Sequence, residues 1–505
     1  MNKMIFSELT EKYKDVTDTF NAIYSLKSEN EEEIENIYQL IKTKLMETNT
    51  ISLSYVLSGI CNAEKFRNRY MKSYYGIFKK LVDEFKPKEI PHISILFDYL
   101  IYKETGVVYD VKHKLNFKNF MASNSLSSYE NDELYKSIIN NDKESFIIQT
   151  GKEGFNANKV YDNGLFSTDI IQYTLLELCC YYGAVDCFKI LRSNYKSEIT
   201  DECLLLSFLS GIPDIVNECL KYQQPTEKCM KYAIISHNID FVCFLMNEYG
   251  LEIDLDYCCK FNNLQALLIY LDQTNDIEKC FVYSSCFGNS LIEYFLAQGV
   301  NINSRDQLGR TALHIATLYN NIESLELLIS KGIDINGKDE FGRTAVYFAA
   351  ENNLVDILKV LFSHGADINA VNTTKRSALH VATLNRCKEA IEFLVSHGAE
   401  INAYDNFNNS PLHIAVGNSW IDISRLFISN GAEVNCKNQN GRTCLHIAAC
   451  NNNKEAAELL ISSGADVNAK DIFEETPLQA ASHYNNQAVI EVLISHGAEP
   501  ATKVD

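Results

Sequence analysis

Apolar positions in the second half of the chain come in two short helix-spaced bursts per unit, and the unit returns every 33 residues. The first burst follows Thr311, Thr344, Ser377, Ser410, Thr443 and Thr476. It carries Leu313, Leu379, Leu412, Leu445 and Leu478, with alanines at 316, 349, 382, 415, 448 and 481. The second carries the pairs Leu327/Leu328, Val360/Leu361, Phe393/Leu394, Leu426/Phe427, Leu459/Leu460 and Val492/Leu493. Gly299, Gly332, Gly365, Gly398, Gly431, Gly464 and Gly497 close the units. Two position sets sharing one period leave little room for chance. The spacing predicts two short amphipathic helices per unit. A hydroxyl opens the first helix, where it can cap free amides, and the glycine suits a left-handed stop after the second. The alanine face lets neighbouring helices approach closely. No unit buries its apolar faces alone, so stability comes from stacking.

The units read GRTALHIAT (309–317), GRTAVYFAA (342–350), SALHVAT (377–383), NSPLHIAV (409–416), GRTCLHIAA (441–449) and ETPLQAA (475–481), the first five leading on to DIN, EIN, EVN or DVN. They resemble the ankyrin repeat, T-P-L-H-x-A-A followed by G-A-D-V-N. The resemblance implies a β-turn finger and two antiparallel helices per repeat. The expected fold is therefore all-α: an ankyrin-type α-solenoid of stacked helix-turn-helix repeats with β-turn fingers, preceded by a helical N-terminal region. The expected repeats are 274–305, 306–338, 339–371, 372–404, 405–437, 438–470 and 471–503. His314, His380, His413 and His446 recur at one register position, which points to scaffold bonds between adjacent repeats rather than catalysis; Tyr347 and Gln479 replace them in two units.

Upstream, TLLELCCYYGAVDCFKIL (174–191) reads as a decayed version of the same unit. Asp186, Asp214, Asp240, Asn263 and Asn289 occupy aligned positions at intervals shorter than 33. The simplest reading keeps the two helices and trims the finger, so residues 131–273 are expected to be degenerate short repeats. Residues 111–130 are polar and aperiodic, hence a loop or linker. Residues 1–110 hold helix-spaced apolar residues and read as a helical cap or small bundle, with a further helix after Pro91. This N-terminal arrangement, over most of residues 1–300, resembles a domain of unknown function that precedes ankyrin repeats in large protist ankyrin families. That resemblance supplies no activity.

Charge changes the picture only by exclusion. The 505 residues hold 46 Lys+Arg against 66 Asp+Glu, a formal charge of −20. Clustered cations, which nucleic acid or anionic lipid would require, are not the dominant feature. No run of about 18 apolar residues occurs, so no membrane span is expected, and the first residues lack the apolar stretch of a secretory leader. Eleven of the sixteen cysteines fall between Cys179 and Cys286, without a C-x-x-C pair. They read as buried, reduced thiols; adjacent pairs such as Cys258–Cys259 or Cys179–Cys180 lack the ligand spacing of a structural zinc site. Phosphate-loop, dinucleotide, zinc-protease, nucleophile-elbow and kinase signatures are all missing. The expectation is a protein that is not an enzyme, with no catalytic residue, cofactor, metal or small-molecule ligand, located in the cytoplasm or nucleus.

The ankyrin resemblance places partner binding on the concave face, at the fingertips and the exposed ends of the inner helices. Carried onto this sequence, the candidates are Leu308, Arg310, Leu318, Tyr319, Phe341, Arg343, Arg376, Phe407, Arg442, Phe473, His483 and Tyr484. Aromatics and arginines are common interface anchors. The structural alternative packs each Phe on the neighbouring finger and pairs each Arg with a preceding Asp. The expected function is a protein–protein interaction scaffold for a protein partner of unknown identity. The alternative is an adaptor that recruits a substrate to an enzyme complex through its N-terminal helices. Asn336, Asn369, Asn402, Asn435 and Asn468 resemble sites of asparaginyl hydroxylation. Their structural alternative is turn geometry, since Asn tolerates a left-handed backbone.

Overall fold

The computed structural model describes residues 2–48, 51–66, 70–87, 90, 93–109, 113, 117, 132–162 and 172–499. The described chain divides into two compact units, residues 1–291 and 292–505. Most of the expected linker 111–130 lies outside the described residues; His113 and Phe117 are described, and both pack on the helix Ile95–Thr105.

In the second unit each 33-residue period forms a helix pair: Ala312–Leu318 with Ile322–Ser330, Ala345–Glu351 with Val355–Ser363, and so on to Pro477–His483 with Gln487–Ser495. Successive first helices pack on one another, and so do successive second helices. The alanines at 316, 349, 382, 415, 448 and 481 are fully buried between them. The closing glycines adopt φ between 82° and 90°, a left-handed stop that glycine adopts without a Cβ clash.

The register histidines tie each unit to the next. His314 Nδ1 accepts from the Thr311 amide at 3.0 Å, and its Nε2 reaches the Arg343 carbonyl at 3.2 Å. His380, His413 and His446 bond in the same way to Asn409, Arg442 and Glu475. A carbonyl only accepts, so Nε2 carries the proton and Nδ1 the lone pair. Burial pushes the His314 imidazole down to about 4 and lowers His380 and His446 as well. In the last unit Gln479 supplies the helix-start bond, its Oε1 accepting from the Thr476 amide at 2.8 Å. In the second, Tyr347 leaves the capping to Thr344.

The D-x-N asparagines lie in turns, as the structural alternative expects, but none takes the left-handed backbone. Each instead bridges to the following repeat. The Asn369 Oδ1 accepts from the Glu400 amide at 2.9 Å while its Nδ2 donates to the Gly398 carbonyl. Asn402, Asn435 and Asn468 repeat both bonds. Left-handed asparagines occur elsewhere, in the turn between the two helices, at Asn320, Asn353, Asn452 and Asn485.

The first unit contains helix pairs with trimmed connections, such as Asp201–Ser210 with Pro213–Cys219 and Leu255–Lys260 with Leu264–Thr274. Two residues separate Thr274 from the next helix, Ile277–Ser284. A two-stranded antiparallel ribbon, Val160–Asp162 with Gln172–Thr174, interrupts the otherwise helical architecture of the described residues. Among the described residues six N-terminal helices precede the pairs: α1 (Asn2–Lys12), α2 (Lys14–Ser25), α3 (Glu31–Leu40, running into a π-helical turn, Ile41–Met46), α4 (Leu53–Phe66), α5 (Met71–Phe85) and α6 (Ile95–Thr105). They form a bundle that is also docked on the short repeats. α1 and α2 pack on the helix Leu264–Thr274. Tyr24 stacks on His237 at 4.1 Å, whose Nδ1 lies 2.9 Å from Asn21 Oδ1 and whose Nε2 lies 2.8 Å from the Phe261 carbonyl. Asn62 donates to the Lys260 carbonyl and Tyr13 bonds Ser290. A Cβ on Gly59 in α4 would come within 2.9 Å of Phe20 and 3.1 Å of Asn262, so glycine permits the close approach there.

Candidate protein-binding site

The fingertips of the second unit are built by one device. The Asp306 carboxylate accepts from the amides of Leu308 at 2.9 Å and Arg310 at 2.8 Å, closing a tight turn. Asp339, Asn372, Asp405, Asn438 and Asp471 do the same at their own fingers. Short polar side chains that bond the backbone two residues ahead favour such turns. The residue two places after each Asx then lies at the tip, and its carbonyl accepts an amide from the next finger. Leu308 receives Glu340, Phe341 receives Thr373, Thr374 receives Asn406, Phe407 receives Gln439 and Asn440 receives Ile472, at 2.9–3.1 Å. Backbone bonds thus hold the fingers in a row and leave the tip side chains outside it.

Phe341, Phe407 and Phe473 occupy that tip position in alternate fingers and are 49%, 48% and 68% exposed. Ile472, at a register position that is Gln, Glu, Thr, Asn or Gln in the other units, adds a large exposed apolar side chain beside Phe473. That departure is legible in the sequence, where the finger register marks Ile472 as a fingertip position and an apolar residue stands at a polar register. Tyr484 is 62% exposed and His483 is exposed, its Nδ1 3.4 Å from Glu475 Oε1. Leu308, Leu318 and Tyr319 are half-buried.

The arginine column is engaged in the scaffold. Arg310 is buried, with Nε 2.7 Å from Asp306 Oδ2. Arg343 pairs with Asp339 at 2.8 Å and its guanidinium lies over the rings of Phe341 and Phe348. Arg376 and Arg442 reach forward to Asp405 and Asp471, at 3.4 and 3.3 Å. The difference has a simple cause. Where the finger's own turn residue is Asp, the arginine pairs within its finger; where it is Asn372 or Asn438, the nearest carboxylate belongs to the next finger. Arg310 therefore presents no free charge, whereas Arg343, Arg376 and Arg442 remain half-buried at the edge of the apolar tips.

Among the described residues no helix is long and apolar enough to cross a membrane. None of the sixteen cysteines forms a disulfide, and thirteen are buried. In the first unit burial pushes their thiols up at Cys179, Cys180, Cys258 and Cys259, as expected of thiols used as small hydrophobes.

Comparison with protein families agrees with the repeat geometry. The model for ankyrin repeats in sets of three copies matches residues 255–339, 281–372, 334–405, 379–471 and 412–504 in overlapping windows. A domain of unknown function, DUF3447, matches residues 195–270, a narrower stretch than the 1–300 suggested by the resemblance. Among curated proteins, none matches the sequence. The chain belongs to the ankyrin-repeat proteins and carries a DUF3447 domain just before its regular repeats.

Proposed function

We propose that the chain is a non-catalytic scaffold that binds a protein partner through the fingertip and inner-helix face of residues 306–484. Ankyrin repeats are generally protein–protein interaction modules, and neither ankyrin repeats nor DUF3447 domains are known as catalytic. The observation that carries the finer reading is the row of exposed apolar tips. Phe341, Phe407, Phe473 and Ile472 stand exposed on a backbone that holds them in a row, whereas the inner member of each second-helix pair, Leu328, Leu361, Leu394, Phe427, Leu460 and Leu493, is fully buried. Exposed, pre-ordered aromatics lose little conformational entropy on binding and supply large contact area. Arg343 lies against Phe341 as a polar rim. The adaptor reading needs a free N-terminal region; α1, α2 and α4 are packed on the short repeats, which favours the scaffold.

Peptides selected from a display library on the full chain test the site. Hydrogen exchange of the complex should show new protection at the fingers around 341, 407 and 473, and the triple variant Phe341→Ser, Phe407→Ser, Phe473→Ser should lose binding. Protection confined to the second helices, or unchanged binding by the triple variant, contradicts the proposal.

A further inference from the structure

Two register positions depart from the repeat pattern together at one junction. Position 436 has counterparts Ser304, Gly337, Ala370, Ala403 and Ala469, and position 444 has counterparts Ala312, Ala345, Ala378, Pro411 and Pro477. At this junction alone both positions hold cysteine, and both lie beside a register histidine, His413. Cys436 Sγ is 3.7 Å from His413 Nδ1. His413 Nδ1, Cys436 Sγ and Cys444 Sγ all lie within 4.8 Å of one another, and among the described residues no other group of three potential ligand side chains does so. A tetrahedral zinc ion with Zn–S of about 2.3 Å and Zn–N of about 2.1 Å separates its nitrogen and sulfur ligands by about 3.6 Å, close to the separation present.

We propose that His413 Nδ1, Cys436 Sγ and Cys444 Sγ form a binding site for a thiophilic divalent metal ion, Zn2+, with water in the fourth position.

The histidine is already oriented for the task. Its Nε2 donates to the Arg442 carbonyl at 3.2 Å, which fixes the tautomer and leaves Nδ1 without a proton, 3.7 Å from Cys436 Sγ, as the outer hydrogen bond of a metal-bound histidine does. Nδ1 now accepts from the Ser410 amide at 3.2 Å and lies 2.9 Å from the Ser410 hydroxyl. Metal binding exchanges that neutral cap bond for a coordinate bond. Cys436 Sγ also lies 3.7 Å from the Ser410 hydroxyl, and Cys444 is buried beside it. Both sulfurs bind the ion as thiolates, and the protons they lose go to solvent. Cys436 is partly exposed and gives the ion an entry path and room for a water ligand; Cys444 is buried. Because His413 belongs to one repeat, Cys444 opens the first helix of the next and Cys436 lies between them, the ion would fasten that single junction.

Cobalt and zinc titrations of the full, reduced, metal-stripped chain test the site. One equivalent of Co2+ should give the thiolate charge-transfer absorption and the strong d–d bands of tetrahedral coordination, and one equivalent of Zn2+ should abolish both. Cys436→Ala, Cys444→Ala and His413→Gln should each weaken zinc binding by roughly 100-fold or more. Ala occupies both cysteine positions in sister units, so the fold tolerates it; zinc should raise the melting temperature of the wild type and not of Cys436→Ala. X-ray absorption of the zinc-loaded chain should find two sulfurs at about 2.3 Å and a nitrogen at about 2.0–2.1 Å. Absence of a cobalt signal in the reduced wild type, an undiminished signal in the Cys436→Ala/Cys444→Ala variant, or a four-sulfur zinc environment overturns the proposal.

Discussion

At the scale of single residues, the same side chain does different work according to what its neighbours leave unsatisfied. Asp306 is buried against the buried Arg310, so Arg310→Ala leaves a carboxylate without its cation in a poorly hydrated place and should cost about 3 kcal/mol. Arg376 is a partly exposed partner of Asp405, and Arg376→Ala should cost about 1 kcal/mol or less; urea unfolding of the two variants checks the difference. The register histidines make a pH prediction. Burial holds the folded His314 near 4 against an ordinary value of 6.5. A depressed histidine contributes stability above its unfolded value and loses it as the pH falls through the interval between the two, because the unfolded chain takes up the proton first. Stability should therefore fall between about pH 6.5 and 4, with up to roughly 3 kcal/mol from His314. His314→Gln keeps a cap of the kind Gln479 makes and should flatten that part of the pH profile, measured by denaturant unfolding. An unchanged profile would show that His314 is not what titrates there.

At the scale of elements, helices were legible wherever period and cap coincided. The Thr or Ser openings, the alanine face and the glycine stops set the helix pairs of the second unit. The aligned Asp and Asn residues of the first unit fall at the starts of second helices, as at Asp214 in Pro213–Cys219 and Asn263 before Leu264–Thr274. The bridging role of the D-x-N asparagines was not legible because one residue type serves two purposes: a turn is a local property, whereas the bridge to the next repeat depends on a neighbour that local sequence does not name. The ribbon Val160–Asp162 with Gln172–Thr174 is too short to show an alternating pattern. Docking of α1, α2 and α4 was equally hidden, since an apolar stripe says that a helix is covered and not by what. Gly59 marks that contact, and Gly59→Val should overpack it and cost about 1–3 kcal/mol, seen as a lower urea midpoint; a variant as stable as the wild type would mean that α4 and Phe20 separate freely.

At the scale of the whole molecule, repetition divides labour cleanly. Interior positions repeat because every junction solves the same packing problem, and the residues that break the repeat without serving the packing are where function is expected. The apolar tips at Phe341, Phe407, Ile472 and Phe473 are such departures, and so are Cys436 and Cys444. The first set was half-legible: the finger register identified the positions, but only the structure separates exposed phenylalanines from arginines tied into ion pairs. The central claim is that these tips serve a partner and not the fold. The most direct measurement is the unfolding free energy of the Phe341→Ser, Phe407→Ser, Phe473→Ser triple variant beside that of the wild type. Exposed side chains that carry no packing predict a change within about 0.5 kcal/mol per site, and a loss of several kcal/mol would make the phenylalanines part of the scaffold and contradict the account.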